Sequence, residues 1–156
     1  MEIKQKIEKI KVGGQIFIWR YKENQRSHPG WNLTVDRQAS QDLLQLFNLM
    51  DQSDWSTKKS VKTNTPTDNE LRVPNNRQGT ATWSTKPTIT FSMKSNGTSD
   101  YWMTEEKKEE LEIVFSKDML KQLRQAIADI PNGKGDISIA DSEEENVLTF
   151  WWRLEK

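Results

Sequence analysis

Apolar and polar residues alternate with period two in several short runs, and two longer stretches carry an apolar stripe at helical spacing. Residues 6–21, KIEKIKVGGQIFIWRY, read as two strands around Gly13-Gly14, because a two-residue turn with positive φ at both positions favours glycine. With Val12 opposite Gln15, one face would gather Ile10, Val12, Phe17, Trp19 and Tyr21 as the core face. The other would mix Ile7, Ile16 and Ile18 with Lys9, Lys11 and Arg20. Ile3, Ile7 and Ile10 also fit a helical stripe, but the diglycine and the β-branched residues favour strands. Trp31, Leu33 and Val35 alternate as the inward residues of a third strand.

A helix is expected next, capped by Ser40, with Asp42 in its first turn and Leu43, Leu44, Leu46, Phe47, Leu49 and Met50 on one broad face. Residues 52–86 then change character. Eleven of them are Ser or Thr, Pro66 and Pro74 interrupt, and few side chains could be buried. This reads as a long polar loop or insertion, ordered by short strands near 71–73 and 80–83. Residues 88–93 alternate again, Asn96-Gly97 marks a turn, and Leu111 to Phe115 follows the charged EEKKEE run as a strand. Ser116 caps a second helix with Asp118 in its first turn, Leu120, Leu123, Ile127 and Ile130 on one face and Pro131-Asn132-Gly133 as its stop. Residues 136–139 and 147–154 form a closing hairpin across an acidic turn.

Ser40-Gln41-Asp42-Leu43-Leu44 and Ser116-Lys117-Asp118-Met119-Leu120 share Ser-x-Asp-apolar-Leu, 76 residues apart. They suggest a duplicated strand-strand-helix unit with half-repeats 1–78 and 79–156, although good capping chemistry alone also produces the pattern. The expected class is α+β: a single domain, residues 1–156, with an antiparallel sheet and two helices packed on one face.

Composition narrows the chemistry. The chain has no Cys and one His among 156 residues, which removes disulfides, thiolate nucleophiles and poly-His metal centres. Asp141 and Glu143 to Glu145 lack the ligand spacing and glycine of a calcium loop, and Gly133-Lys134-Gly135-Asp136 lacks phosphate-loop spacing. No metal and no cofactor are therefore expected. A nucleophile elbow is also absent, so an enzyme is not the expected class, and a role for His28 in acid–base chemistry is the third reading. The N-terminal residues lack the apolar run of a signal peptide, and the longest apolar run is too short for a membrane span, so a cytoplasmic location is expected.

Twenty-three basic residues balance 23 acidic ones, but the surplus is basic before residue 103 and acidic after it. Such an opposed distribution suits orientation against a protein partner, while the same acidic runs also serve as solvated turns. Candidate partner-binding residues are Arg26, His28 and Trp31 in one turn, Asn76 and Arg77 in another, and the adjacent Trp151 and Trp152. In a strand the last two must face opposite ways, leaving one indole for solvent or a partner.

The leading expectation is a non-enzymatic protein-recognition module, such as a small inhibitor or immunity-type protein. The alternative is single-stranded nucleic-acid binding, with Trp19, Trp31, Trp83, Trp102, Trp151 and Trp152 stacking on bases and Lys9, Lys11 and Arg20 reaching phosphates. In architecture only, the doubled strand-then-helix layout is similar to single-strand-binding sheets of the Whirly or PUR kind, and no motif of either family is present.

Overall fold

A computed structural model of the chain describes residues 2–21, 30–71, 83–96, 98–133, 137–141 and 146–153. The first difference from expectation comes at once. Residues Ile3–Lys9 form a helix, α1, and not a strand. Ile7 is buried, with Ile3 and Ile10 packed beside it against the core, so the i, i+4, i+7 stripe prevails over β propensity. Gly13 and Gly14 make no hairpin turn. They bring the chain across the start of the next helix: the Gly13 N–H donates to Asp42 Oδ2 at 2.8 Å. Gly14 has φ 74°, and a Cβ there would lie 2.6 Å from the Ala39 nitrogen and collide with Asp36.

Strand β1 (Ile16–Tyr21) pairs antiparallel with β2 (Trp31–Val35), and α2 (Arg37–Asp51) follows directly. Asp36, not Ser40, caps α2: its side chain accepts from the Ala39 N–H at 2.8 Å. Arg37, Gln38 and Ala39 are competent helix formers, so the helix starts a turn earlier than the Ser-x-Asp pattern suggests. Ser40 is buried inside it and donates to the Ile127 carbonyl at 3.0 Å. Asp36→Ala is expected to lower unfolding stability by about 1 kcal/mol, read as a lower urea midpoint at unchanged m.

The 52–86 segment is less irregular than its composition suggests. It supplies strand β3 (Thr57–Lys62), a short helix α3 (Asp68–Leu71) and strand β4 (Trp83–Ser84). Thus Leu71 ends a helix where a strand was expected, and residues 72–82 lie outside the described residues. Strands β5 (Thr88–Lys94), β6 (Trp102–Glu106) and β7 (Glu110–Ser116) follow, so the charged run forms the β6–β7 hairpin. A 3₁₀ turn, Lys117–Met119, leads into α4 (Leu120–Asp129), and β8 (Ile137–Ile139) and β9 (Leu148–Phe150) close the chain as an antiparallel pair.

The fold is α+β, with two sheets in place of one. Their orders are β4-β1-β2-β9-β8 and β3-β5-β7-β6. Each sheet contains one parallel contact: β2 with β9, where the antiparallel series β4-β1-β2 meets the pair β9-β8, and β5 with β7, where the antiparallel pairs β3-β5 and β7-β6 meet. The series β1-β2-β9-β8 and β6-β7-β5-β3 therefore repeat the same directions, and each long helix carries the chain from one sheet into the other. Buried positions repeat as well, at an offset of 80 and not 76. Leu33, Val35, Leu43, Phe47 and Met50 match Ile113, Phe115, Leu123, Ile127 and Ile130. Ser40 and Ser116 are not equivalents in this frame, because Ser116 precedes its helix and donates to the Ser99 carbonyl.

One core cluster spans both sheets and both long helices. Phe47 meets Phe91 edge-on at 5.3 Å and Phe115 at 6.5 Å. The expected core face of β1 is a second, smaller cluster. Phe17, Trp19 and Tyr21 pack with Leu71, Trp83 and Trp151 on the outer side of the first sheet. Ile16 and Ile18, assigned to the outer face by parity, belong to the main core, because this strand is covered on both sides. Among the described residues no helix is long and apolar enough to cross a membrane.

Candidate functional site

Of the residues singled out for recognition, Arg26, His28, Asn76 and Arg77 lie outside the described residues. Trp31 does not serve as an exposed contact. It is 4 % exposed within the main core, with the Arg20 guanidinium 4.9 Å above its ring. Period-two alternation, which suggested the strand, also directs this indole inward. Trp151 and Trp152 diverge in the expected sense in the extended chain just after β9. Trp151 joins the smaller cluster, its Nε1 donating to Asn32 Oδ1 at 2.8 Å, while Trp152 is 38 % exposed.

Sequence reading missed the most exposed indole. Trp55 is 78 % exposed, in the turn between α2 and β3. The backbone beneath it is fixed from several sides. Ser53 Oγ donates to the Trp55 carbonyl at 2.8 Å and accepts from the Trp55 N–H at 3.1 Å. Lys117 Nζ donates to the Ser53 carbonyl at 2.9 Å, and the Ser95 N–H donates to Ser56 Oγ at 3.1 Å. Trp152 is held in a comparable way. On one side the Trp151 N–H donates to the Leu33 carbonyl at 2.9 Å; on the other the Arg153 N–H donates to the Ile130 carbonyl at 2.8 Å. Both indoles thus project from ordered backbone, so a partner covering them loses little backbone entropy.

They do not form one patch. Ser40 meets Ile127 at one end of the antiparallel α2–α4 pair and Ser53 meets Lys117 at the other. Trp152 adjoins the Ile130 end and Trp55 the Lys117 end.

The smaller cluster contains a polar network that anchors the C-terminal segment. Glu70 is buried, and its Oε1 accepts from the Thr67 N–H and hydroxyl, each at 2.7 Å. Its Oε2 lies 2.7 Å from Arg153, whose guanidinium also stacks 5.3 Å from the Phe17 ring. Burial alone would raise the Glu70 carboxyl, but the bonds from Thr67 and Arg153 outweigh it and hold the group below the ordinary glutamate range. Burial pushes the Tyr21 phenol up, and its hydroxyl donates to the Leu71 carbonyl at 2.9 Å.

The acidic surplus of the last third is partly neutralised in place. Glu106 lies 3.0 Å from Arg20 and 3.2 Å from Lys86, and Glu112 lies 3.2 Å from Lys107. Asp141 accepts from the Asn146 backbone and side chain, so it closes the last hairpin. Among the described residues no group of three or more His, Asp or Glu side chains is placed to hold a metal ion.

The indoles proposed to stack on bases are mostly enclosed. Trp19, Trp31 and Trp102 are buried and Trp83 and Trp151 half-buried, so the described sheet faces offer no row of exposed rings. Compared with protein-family models, curated proteins and solved structures, the chain matches none of them.

Proposed function

We propose that the chain is a non-enzymatic protein-recognition module, a small cytoplasmic inhibitor or immunity-type protein, that uses Trp55 and Trp152 as anchors. The observation that carries this reading is Trp55, a large apolar side chain 78 % exposed on a turn locked by Ser53. Indoles of this kind supply a disproportionate share of binding energy at protein interfaces. The two anchors lie at opposite ends of the helix pair, which fits a partner that grips the domain or two separate partners.

The test places a photo-crosslinking residue at exposed position 54, beside the indole, in the producing cells and repeats the capture with Trp55→Ala in the same background. A discrete protein adduct is expected. Its purified partner should bind Trp55→Ala at least about 30-fold more weakly, a loss of roughly 2 kcal/mol. Because the indole is exposed, the same variant should unfold within about 0.5 kcal/mol of the parent. Tight oligonucleotide binding that weakens steeply with salt, with no protein adduct, would establish the nucleic-acid alternative instead.

A further inference from the structure

The described sheets end in four outer strands, β4, β8, β3 and β6. Strand β4 has two residues and β8 three, and on β6 the Thr104 N–H donates to Asn146 Oδ1 at 3.1 Å, which covers that edge at its centre. Strand β3, with six residues, is the long free edge. The ladder to β5 gives the direction of its backbone groups. The Thr63 N–H donates to the Pro87 carbonyl at 3.0 Å, and antiparallel bonding alternates, so Thr57, Lys59 and Val61 turn their N–H and C=O groups toward β5. Those of Lys58, Ser60 and Lys62 point away from the sheet, and among the described residues they have no hydrogen-bond partner. All three residues are exposed. The chain itself pairs with this side just beyond the strand, where the Asn64 N–H donates to the Ile16 carbonyl at 2.7 Å. Helix α1 is tied to β3 on its core-facing row, where Lys59 Nζ donates to the Glu8 carbonyl at 2.8 Å, and the row of Lys58, Ser60 and Lys62 stays open.

The edge is charged one way. Lys58, Lys59 and Lys62 give β3 three positive charges and no negative one. Among the described residues none of the three is in an ion pair, although Lys58 helps from a distance to hold the Glu112 carboxyl low. Lysines on an edge select what pairs with it. Two copies joined antiparallel about Ser60 would set Lys58 against Lys62, which like charges oppose, whereas a strand with carboxylates at those positions gains from the same lysines. Trp55 stands two residues before β3, and the Ser95 N–H fixes Ser56 between them, so the exposed indole and the free edge form one continuous surface.

We propose that the partner gripping Trp55 adds an acidic extended segment to the β3 edge, pairing its backbone with Lys58, Ser60 and Lys62 and setting carboxylates beside the two lysines. Main-chain bonds supply the affinity in this mode, and side chains along the strand supply the choice of partner. The proposal rests on the recognition reading and specifies the partner's chemistry.

The test titrates ¹⁵N-labelled protein with three acetylated ten-residue peptides in which Val alternates with Glu, Gln or Lys. The Glu peptide should give saturable amide shifts centred on residues 55–62 and should slow hydrogen exchange at Lys58, Ser60 and Lys62. The amides of Thr57, Lys59 and Val61 should change little, since β5 already protects them. The Gln and Lys peptides should bind at least about tenfold more weakly, and binding of the Glu peptide should weaken as salt rises. Lys58→Glu with Lys62→Glu should reverse the preference to the Lys peptide while keeping the circular dichroism spectrum. Ser60→Pro removes one outward donor at a position where an edge strand tolerates proline, and should weaken the Glu peptide at least about tenfold. If that variant does not fold, the charge reversal still decides. Equal binding of the Glu and Lys peptides, protection that ignores the alternation, or no saturable binding at millimolar peptide would overturn the edge as a site. In cells, the adduct captured from position 54 should be lost in the charge-reversed variant. An undiminished adduct refutes the added strand and leaves the Trp55 reading standing, while no adduct in the parent removes that reading and the proposal with it.

Discussion

Phe47→Ala is expected to lower the free energy of unfolding by about 3–5 kcal/mol, and to do so through one transition that includes both sheets. The magnitude follows from the site. Phe47 is fully buried and touches Phe91 and Phe115 edge-on, so its removal forfeits transfer energy, ring contacts and the packing of a cavity that cannot collapse between a helix and a sheet. The cooperativity follows from topology. Phe91 and Phe115 belong to the β3-β5-β7-β6 sheet, yet α2 begins in the other sheet, and β8 and β9 reach that other sheet only after α4. Neither sheet is complete without strands delivered by the opposite helix. Urea unfolding followed by indole fluorescence and by far-ultraviolet circular dichroism should give coincident midpoints in parent and variant. Two separated transitions in the variant would mean that the sheets form independent units.

The same topology explains which elements were legible in the sequence. Strands β2, β5 and β7 and helix α4 follow their own periodicity, and the inward residues named for β2 and α4 are buried. The α+β class was legible for that reason. Strand β3, TKKSVK, and β6, WMTEE, were not. Both are sheet edges with little apolar content, because an edge strand has one neighbour and tolerates charge. Helix α1 was misread because the diglycine and the β-branched residues outweighed the helical stripe of Ile3, Ile7 and Ile10. What decides between them is remote: Gly13 and Gly14 are needed beside Asp42 and Asp36, twenty-odd residues on. The parallel contacts between β2 and β9 and between β5 and β7 have no local signature at all.

The candidate surfaces were less legible than the fold. Parity placed one of Trp151 and Trp152 outward, and Trp152 is the exposed one. Trp55 was passed over because it stands alone in a Ser-rich stretch, yet that isolation was the signal: it has no alternating apolar neighbours with which to enter a core. Ser53 and Ser56 on either side are the residues that hold such a turn.

Arg153→Ala is expected to cost about 2–4 kcal/mol near pH 7, and the deficit should shrink as pH falls below the ordinary glutamate range. Glu70 has a 2 % exposed side chain, so removing its cation leaves a carboxylate that keeps the Thr67 bonds but has lost its counter-charge. Arg153 is partly exposed, which places the cost below that of a fully buried pair. The sign follows from protonation. In the parent, the Glu70 carboxyl sits below its unfolded value of about 4.3, so its stabilisation is complete above that pH and is lost as pH falls through the folded value. In the variant the lowering by Arg153 is gone, so the carboxyl rises relative to the parent, and protonation relieves the unpaired charge, which narrows the gap between the two proteins in acid. Glu106 and Glu112 are also held low, but they titrate alike in both proteins and cancel in the difference. Urea unfolding of the two proteins across this range measures the gap directly. A deficit that stays constant with pH would assign the contribution of Arg153 to its packing on Phe17, and not to its charge.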